Sequence, residues 1–88
     1  MEIYQTEVTD LSLGGNYCRL RYSLLAEPAK DRTRYGVSVF NETTGEETVV
    51  PDALLDPNTG ERLLEMLVSG SVTPMTLRDV VEDFVAEI

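Results

Sequence analysis

The chain has 88 residues, 42% of them hydrophobic, which is the size and composition of one globular domain with a modest core. The formal net charge of −9 disfavours binding to nucleic acid or to an anionic membrane surface, and no apolar run approaches the ~20 residues of a membrane span. Residues 1–10 lack the basic start and apolar run of a signal peptide, and a single cysteine cannot form an internal disulfide, so we expect a cytoplasmic protein.

The first half of the chain predicts strands. Residues 1–9 are rich in strand-forming residues with weak alternation, and the segment from Leu13 to Asn16, with two glycines, predicts a turn. Residues 17–25 alternate between apolar and polar positions, which is typical of a half-buried strand. In that strand Arg19 and Arg21 fall on the face opposite the apolar residues.

Two further strands follow a polar loop at residues 28–32. Alternation resumes over residues 34–42, and a hairpin-like turn at residues 43–46 precedes a short strand at residues 47–50. Pro51 predicts that this last strand lies at an edge of the sheet or ends there. Connections this short favour antiparallel neighbours.

The second half predicts two helices, at residues 56–70 and 76–88. Asp56 followed by Pro57 is a helix start signal, and Gly70 is the expected stop. Residues 63–68 form a wide apolar arc that we expect to pack on the sheet, although a partly exposed groove for a partner is the functional alternative. Gly60 in the first turn should weaken the start of the helix.

The last helix has the clearest pattern in the chain. Thr76 and Asp79 fit a capping box in form. The residues predicted to face the core are Leu77, Val80, Val81, Phe84, Val85 and Ile88. The opposite face carries Asp79, Glu82, Asp83 and Glu87. Like charges four residues apart weaken an isolated helix, so we expect packing to stabilise this one.

These elements predict an α+β fold in a single domain, residues 1–88. The sheet, within residues 1–51, should be an antiparallel meander of about four strands with the two helices packed on one face. Arg19 and Arg21 should then lie on the open face, where they can pair with acids of neighbouring strands.

Catalytic and metal-binding patterns are weak. The chain has no histidine, Lys30 lies in a polar loop, and Cys18 alternates in phase with apolar residues, which predicts a buried thiol rather than a nucleophile. The segment 56–60 resembles the start of a calcium loop, but its glycine comes one position early, so we interpret it as a helix cap. We therefore predict no enzyme, no cofactor and no metal site.

The acidic face of the last helix is the candidate interaction surface. Residues 1–34 hold five acids and five bases and sum to zero, whereas residues 35–88 hold eleven acids and two bases and carry the whole −9. This imbalance predicts a protein partner with a basic surface, although a solvated helix face is the simpler interpretation. A homodimer formed through a free sheet edge is a further alternative, but the sequence does not indicate which edge is free.

Several segments resemble a known family. Residues 35–37 (Tyr-Gly-Val), 72–74 (Val-Thr-Pro) and 79–84, together with Leu77, are similar to an uncharacterised family of short acidic proteins from Gram-positive anaerobes, a domain of unknown function. The resemblance implies no activity, cofactor or catalytic residue.

Function is therefore a hypothesis from the residues alone. A non-enzymatic protein-interaction or regulatory module is the leading one. A small-ligand or metal-binding module is the alternative, and a small enzyme comes third.

Overall fold

The computed structural model describes residues 2–13, 16–54 and 56–87. They form a four-stranded antiparallel sheet in the order β1-β2-β3-β4, followed by two helices that pack against it, as predicted. The elements are β1 (Glu2–Leu13), β2 (Asn16–Pro28), β3 (Thr33–Asn41), β4 (Glu47–Leu54), α1 (Pro57–Ser69) and α2 (Leu77–Ala86). The glycines of the predicted first turn, Gly14 and Gly15, lie outside the described residues.

β4 lies at an edge of the sheet, which confirms one of the two outcomes predicted from Pro51, but the strands are longer than the sequence indicated. β4 does not stop at Pro51 but continues to Leu54, so the sheet extends past residue 51. The register between β3 and β4 shifts between Tyr35 and Val37, and this irregularity falls where Pro51 enters the strand. Proline cannot donate a ladder hydrogen bond and is found at edges and bulges, which is how β4 accommodates it.

Asn41 closes the turn between β3 and β4. Its side-chain Oδ1 accepts hydrogen bonds from the backbone N–H groups of Thr43 at 2.9 Å and Thr44 at 3.2 Å. Gly45 follows with a φ of 84°, a left-handed conformation that glycine adopts without steric cost. The predicted hairpin turn is therefore built by one asparagine and one glycine.

The two faces of the sheet differ as expected. Leu20, Tyr22 and Leu24 lie on the face covered by the helices, and all three are fully buried. Arg19 and Arg21 lie on the opposite, open face. The buried apolar core consists of Leu20, Tyr22, Leu24, Val37, Val39, Leu63, Leu64, Leu67, Leu77 and Val81.

The start of α1 is capped as the sequence predicted. The Asp56 carboxylate accepts a hydrogen bond from the Thr59 N–H at 2.7 Å and another from the Thr59 hydroxyl at 2.9 Å. Pro57 occupies the first turn, where its missing N–H costs nothing. The hydrogen bonds from the Thr59 backbone N–H and the Thr59 hydroxyl hold the pKa of Asp56 below its ordinary value.

Gly60 has a role that the sequence did not reveal. It is buried against the sheet, and a Cβ atom at this position would lie 2.6 Å from Cδ1 of Leu24. Because Leu24 is itself fully buried, its side chain cannot swing out into solvent. The glycine therefore sets how closely α1 approaches β2.

Helix α2 differs from its prediction in three ways. It spans Leu77–Ala86, and Thr76 makes no side-chain capping hydrogen bond, so the predicted capping box is absent. Its backbone angles at Thr76 are helical, which points the hydroxyl away from the free N–H groups; it lies 3.4 Å from the Thr73 carbonyl oxygen instead. Val85, predicted to be in the core, is 37% exposed. Ile88 lies outside the described residues.

The remaining apolar stripe of α2 is confirmed. Leu77 and Val81 are buried, and Val80 and Phe84 are partly buried against the same core. The stripe is narrower than predicted because a ten-residue helix beside β4 buries only the side chains nearest the sheet. The apolar arc of α1 is confirmed in the same way, except that Met66 is 39% exposed.

We expect Gly60→Ala to lower the free energy of unfolding by about 1–2 kcal/mol. Alanine gains up to ~1 kcal/mol of helix propensity over glycine, but overpacking a closed core costs about 1–3 kcal/mol. Urea denaturation measures the difference, and Glu61→Ala, an exposed neighbour, should change stability by less than ~0.5 kcal/mol. A stabilised Gly60→Ala protein would show that Leu24 can move aside.

Replacing the α1 cap should make stability depend less on pH. The pKa of Asp56 is lower in the folded state than in the unfolded state. The ionised cap therefore stabilises the fold at pH values above the ordinary pKa of aspartate, and this contribution is lost as pH falls through the folded-state pKa. We expect the thermal midpoints of the wild type and Asp56→Ala to differ at neutral pH and to converge below about pH 4. A constant gap across this range would contradict the assignment.

Candidate functional site

The predicted acidic surface is fully presented to solvent. Its members Asp79, Glu82, Asp83 and Glu87 are all exposed along α2. None of the ion pairs between described residues involves them. None of them lines the groove between β1 and α1 that is described below. The surface is an exposed acidic helix face.

The open sheet face holds a compact charge network, as predicted for its arginines. Arg19 pairs with Asp10 at 3.1 Å and lies 3.9 Å from Glu42, which also binds Arg21. The charges of these two acids and two bases sum to zero. The Tyr17 hydroxyl donates to Asp10 at 2.8 Å, and this hydrogen bond raises the pKa of Tyr17 above its ordinary value. The network is exposed, so each pair stabilises the fold by at most about 1 kcal/mol.

The two edges of the sheet are protected to different extents. At one edge, β4 pairs regularly only until Val50, because Pro51 and the register shift follow, and α2 packs against this strand. At the other edge, β1 keeps a regular register with β2 from Gln5 to Leu13. Among the described residues, no strand pairs with the outer side of β1. β1 is therefore the more regular of the two sheet edges.

The start of β1 is the exception to this regularity. The register with β2 shifts between Ile3 and Gln5, which leaves Tyr4 as the extra residue. The Tyr4 ring meets the Tyr35 ring edge-on, with centroids 5.9 Å apart. A bulge next to an edge twists the strand, so the regular free edge begins at Gln5.

A groove lies between β1 and α1. It has a volume of about 360 Å³ and is lined by Gln5, Glu7, Leu64, Glu65, Val68 and Ser69. The two carboxylates, Glu7 and Glu65, are exposed, and neither takes part in an ion pair among the described residues. Leu64 is fully buried and Val68 half-buried, so the groove combines an apolar base with an acidic rim.

Sequence analysis missed this groove. Gln5 and Glu7 stand opposite Leu24 and Tyr22 in the ladder, so both belong to the helix-covered face of the sheet. Polar residues at inward positions made the alternation of the first strand weak, which is the signal that could have revealed a site. Their position opposite α1 could not be predicted without the packing angle of the helix.

The Tyr22 hydroxyl is a buried polar group without a partner. It has no hydrogen-bond partner in the described structure, and burial raises the pKa of the phenol to about 12. Tyr22 is fully buried in the core beneath α1 and α2. Its ring contributes apolar packing, whereas its hydroxyl costs stability because it has left water without replacement.

The remaining reactive groups do not converge. Cys18, predicted to be buried, is partly exposed. Within the described residues no group of three or more Cys, Asp or Glu side chains is arranged to hold a metal ion. Neither helix described is long and apolar enough to cross a membrane.

Comparison with known proteins gives one match. Residues 1–87 match the model of a family described as a family of unknown function (DUF6514), which confirms the resemblance to an uncharacterised domain. No curated protein and no solved structure matches the chain.

We expect Tyr22→Phe to raise the free energy of unfolding by up to about 1 kcal/mol, because an unpartnered buried hydroxyl costs about 1–3 kcal/mol. The raised pKa of Tyr22 adds a second readout. The neutral phenol contributes stability at pH values below the ordinary tyrosine pKa near 10, and this contribution is lost as pH rises towards the folded-state pKa of about 12. The loss of stability at alkaline pH should be smaller in Tyr22→Phe. Destabilisation by Tyr22→Phe at neutral pH would instead indicate that the hydroxyl has a partner.

Proposed function

This chain belongs to the family of unknown function DUF6514, and from the geometry of its sheet we propose that it is a non-enzymatic protein-interaction module. It binds an extended segment of a partner protein along the free edge of β1. The observation that carries this proposal is the regular, unpaired edge from Gln5 to Leu13. Strand addition at such an edge supplies affinity through main-chain hydrogen bonds.

The charge of β1 bears on what can bind there. Residues 1–18 contain three acids, Glu2, Glu7 and Asp10, and no lysine or arginine. Two copies of this strand paired with each other would bring these acids together, and like charges on paired strands are destabilising. The acids therefore disfavour the homodimer alternative and favour a partner strand that carries basic residues.

A non-enzymatic role is supported by the side-chain inventory. The chain has no histidine, and its single cysteine and single lysine lie in different places, Cys18 in β2 and Lys30 in the loop after β2. A cytoplasmic location belongs to the same proposal, as does membership among short acidic proteins from Gram-positive anaerobes. The lone cysteine supports the cytoplasmic location, and the net charge of −9 supports the acidic character.

A small-ligand module is the second candidate, and the groove beside β1 favours it. A volume of about 360 Å³ lies within the usual range of ligand pockets, about 300–1,000 Å³. A thermal shift screen with metabolites tests this candidate, since a ligand at 100 times its dissociation constant stabilises by about 2.7 kcal/mol. A screen in which no metabolite raises the midpoint removes it.

Affinity capture with edge variants tests the proposed function. In an antiparallel ladder the N–H groups of adjacent residues point alternately to the neighbour strand and away from it, so one of Val8→Pro and Thr9→Pro removes only an outward N–H. Thermal unfolding identifies the tolerated variant as the one that keeps most of the wild-type midpoint. We expect this variant to lose a partner that the wild type captures from lysate of the cells that make it.

The control neutralises α2 through Asp79→Asn, Glu82→Gln, Asp83→Asn and Glu87→Gln. We expect this fourfold variant to keep the partner. Loss of the partner in the α2 variant, with retention in the β1 variant, would move the site to the acidic helix face. A partner retained by both variants would overturn strand addition at β1.

A further inference from the structure

We propose that the groove between β1 and α1 is the specificity pocket of this module and receives a lysine or arginine side chain from the partner strand. The inference rests on the proposed function and deepens it, because it identifies the chemistry of the partner. It is carried by the position of the groove, its unpaired carboxylates and its apolar base.

The groove adjoins the free edge. Gln5 and Glu7 lie at the beginning of the regular part of β1, and their side chains belong to the face covered by α1. A strand added outside β1 places alternate side chains on that same face. One of them therefore lies beside Glu7, next to the groove.

The rim of the groove selects for positive charge. Glu7 and Glu65 reach it from the strand and from the helix, and no lysine or arginine lines it. The Gln5 amide nitrogen donates a long hydrogen bond of 3.5 Å to the Glu7 carboxylate, which is a weak contact. Neither carboxylate pairs with a base among the described residues, so both are available for charge-assisted hydrogen bonds from an ammonium or guanidinium group.

The base of the groove suits the stem of such a side chain. Leu64 and Val68 are apolar, and Val68 is half-buried, so it keeps surface that a ligand can cover. Lysine and arginine carry three or four methylene groups, which pack on apolar surface while the charged end stays near water. An acidic or purely apolar side chain satisfies only one of these two features.

The same carboxylates explain selectivity. An open strand edge can pair with almost any exposed strand, which is a hazard for a small protein. Acids beside the edge repel acidic strands, including β1 of a second copy, and attract basic ones. The groove thus combines protection against wrong pairing with recognition of the right partner.

Titration with two small probes tests the pocket without the natural partner. N-acetyl-lysine methylamide and N-acetyl-arginine methylamide are added at millimolar concentration to isotope-labelled protein, and amide chemical shifts are followed by NMR. We expect saturable shifts centred on Gln5, Glu7, Glu65 and Ser69. The N-acetyl-norleucine methylamide probe, which has a similar stem without the charge, should produce none.

Variants separate the pocket from general attraction to an acidic protein. The double variant Glu7→Gln/Glu65→Gln keeps the shape of the groove and should weaken binding of the better probe by about fivefold or more, because two ion pairs are lost. The control Glu82→Gln/Asp83→Asn removes the same charge from α2 and should leave binding unchanged. Higher salt should weaken binding to the wild type.

Three results would overturn the inference. They are unsaturable shifts spread over every acidic surface, equal weakening in the two double variants, and equal shifts from the norleucine probe. A failure of this pocket is distinguishable from failure of the proposed function. The informative case is that Glu7→Gln/Glu65→Gln still captures the partner and the tolerated β1 proline variant does not. The proposal of strand addition at β1 is then retained, and only the proposal that the groove receives a basic side chain is wrong.

Discussion

The close approach of α1 to the sheet is the contact on which the rest of the structure depends. Gly60 rests on Leu24, and a Cβ atom at this position would lie 2.6 Å from Cδ1 of Leu24, so a larger residue requires Leu24 or the helix to shift. That contact brings Leu63, Leu64 and Leu67 into the core, and it fixes the height of the helix above the sheet. The same helix supplies Leu64, Glu65 and Val68 to the groove beside β1, so the core and the proposed pocket both involve the packing of α1 on the sheet.

Part of this fold could be read from the sequence because its signals are local. The alternation of residues 17–25, the Asp56–Pro57 start of α1 and the apolar stripe of α2 each predict one element correctly, and short connections predict the meander. Errors arose where tertiary packing decides the outcome. The exposure of Val85 depends on how far α2 reaches across the sheet, and Pro51 remains within a strand because an edge bulge accommodates it.

The candidate sites show the same division. The exposed acids of α2 were predicted because helical periodicity places them on one face, but periodicity cannot predict a groove formed between two elements, and these acids do not line the groove beside β1. The groove needed two elements distant in sequence, Glu7 on β1 and Glu65 on α1. Neither residue stands out in its own segment, so only the packing of the helix on the strand brings them into one feature.

The asymmetry between the sheet edges has a consequence for assembly. Because β4 is interrupted by Pro51 and a register shift, while β1 is regular from Gln5 to Leu13, strand addition is favoured at the β1 edge. A protein with two open edges can grow into chains of indefinite length. Under the proposed function, one partner strand added at β1 covers the regular edge, which favours one-to-one complexes over chains of indefinite length.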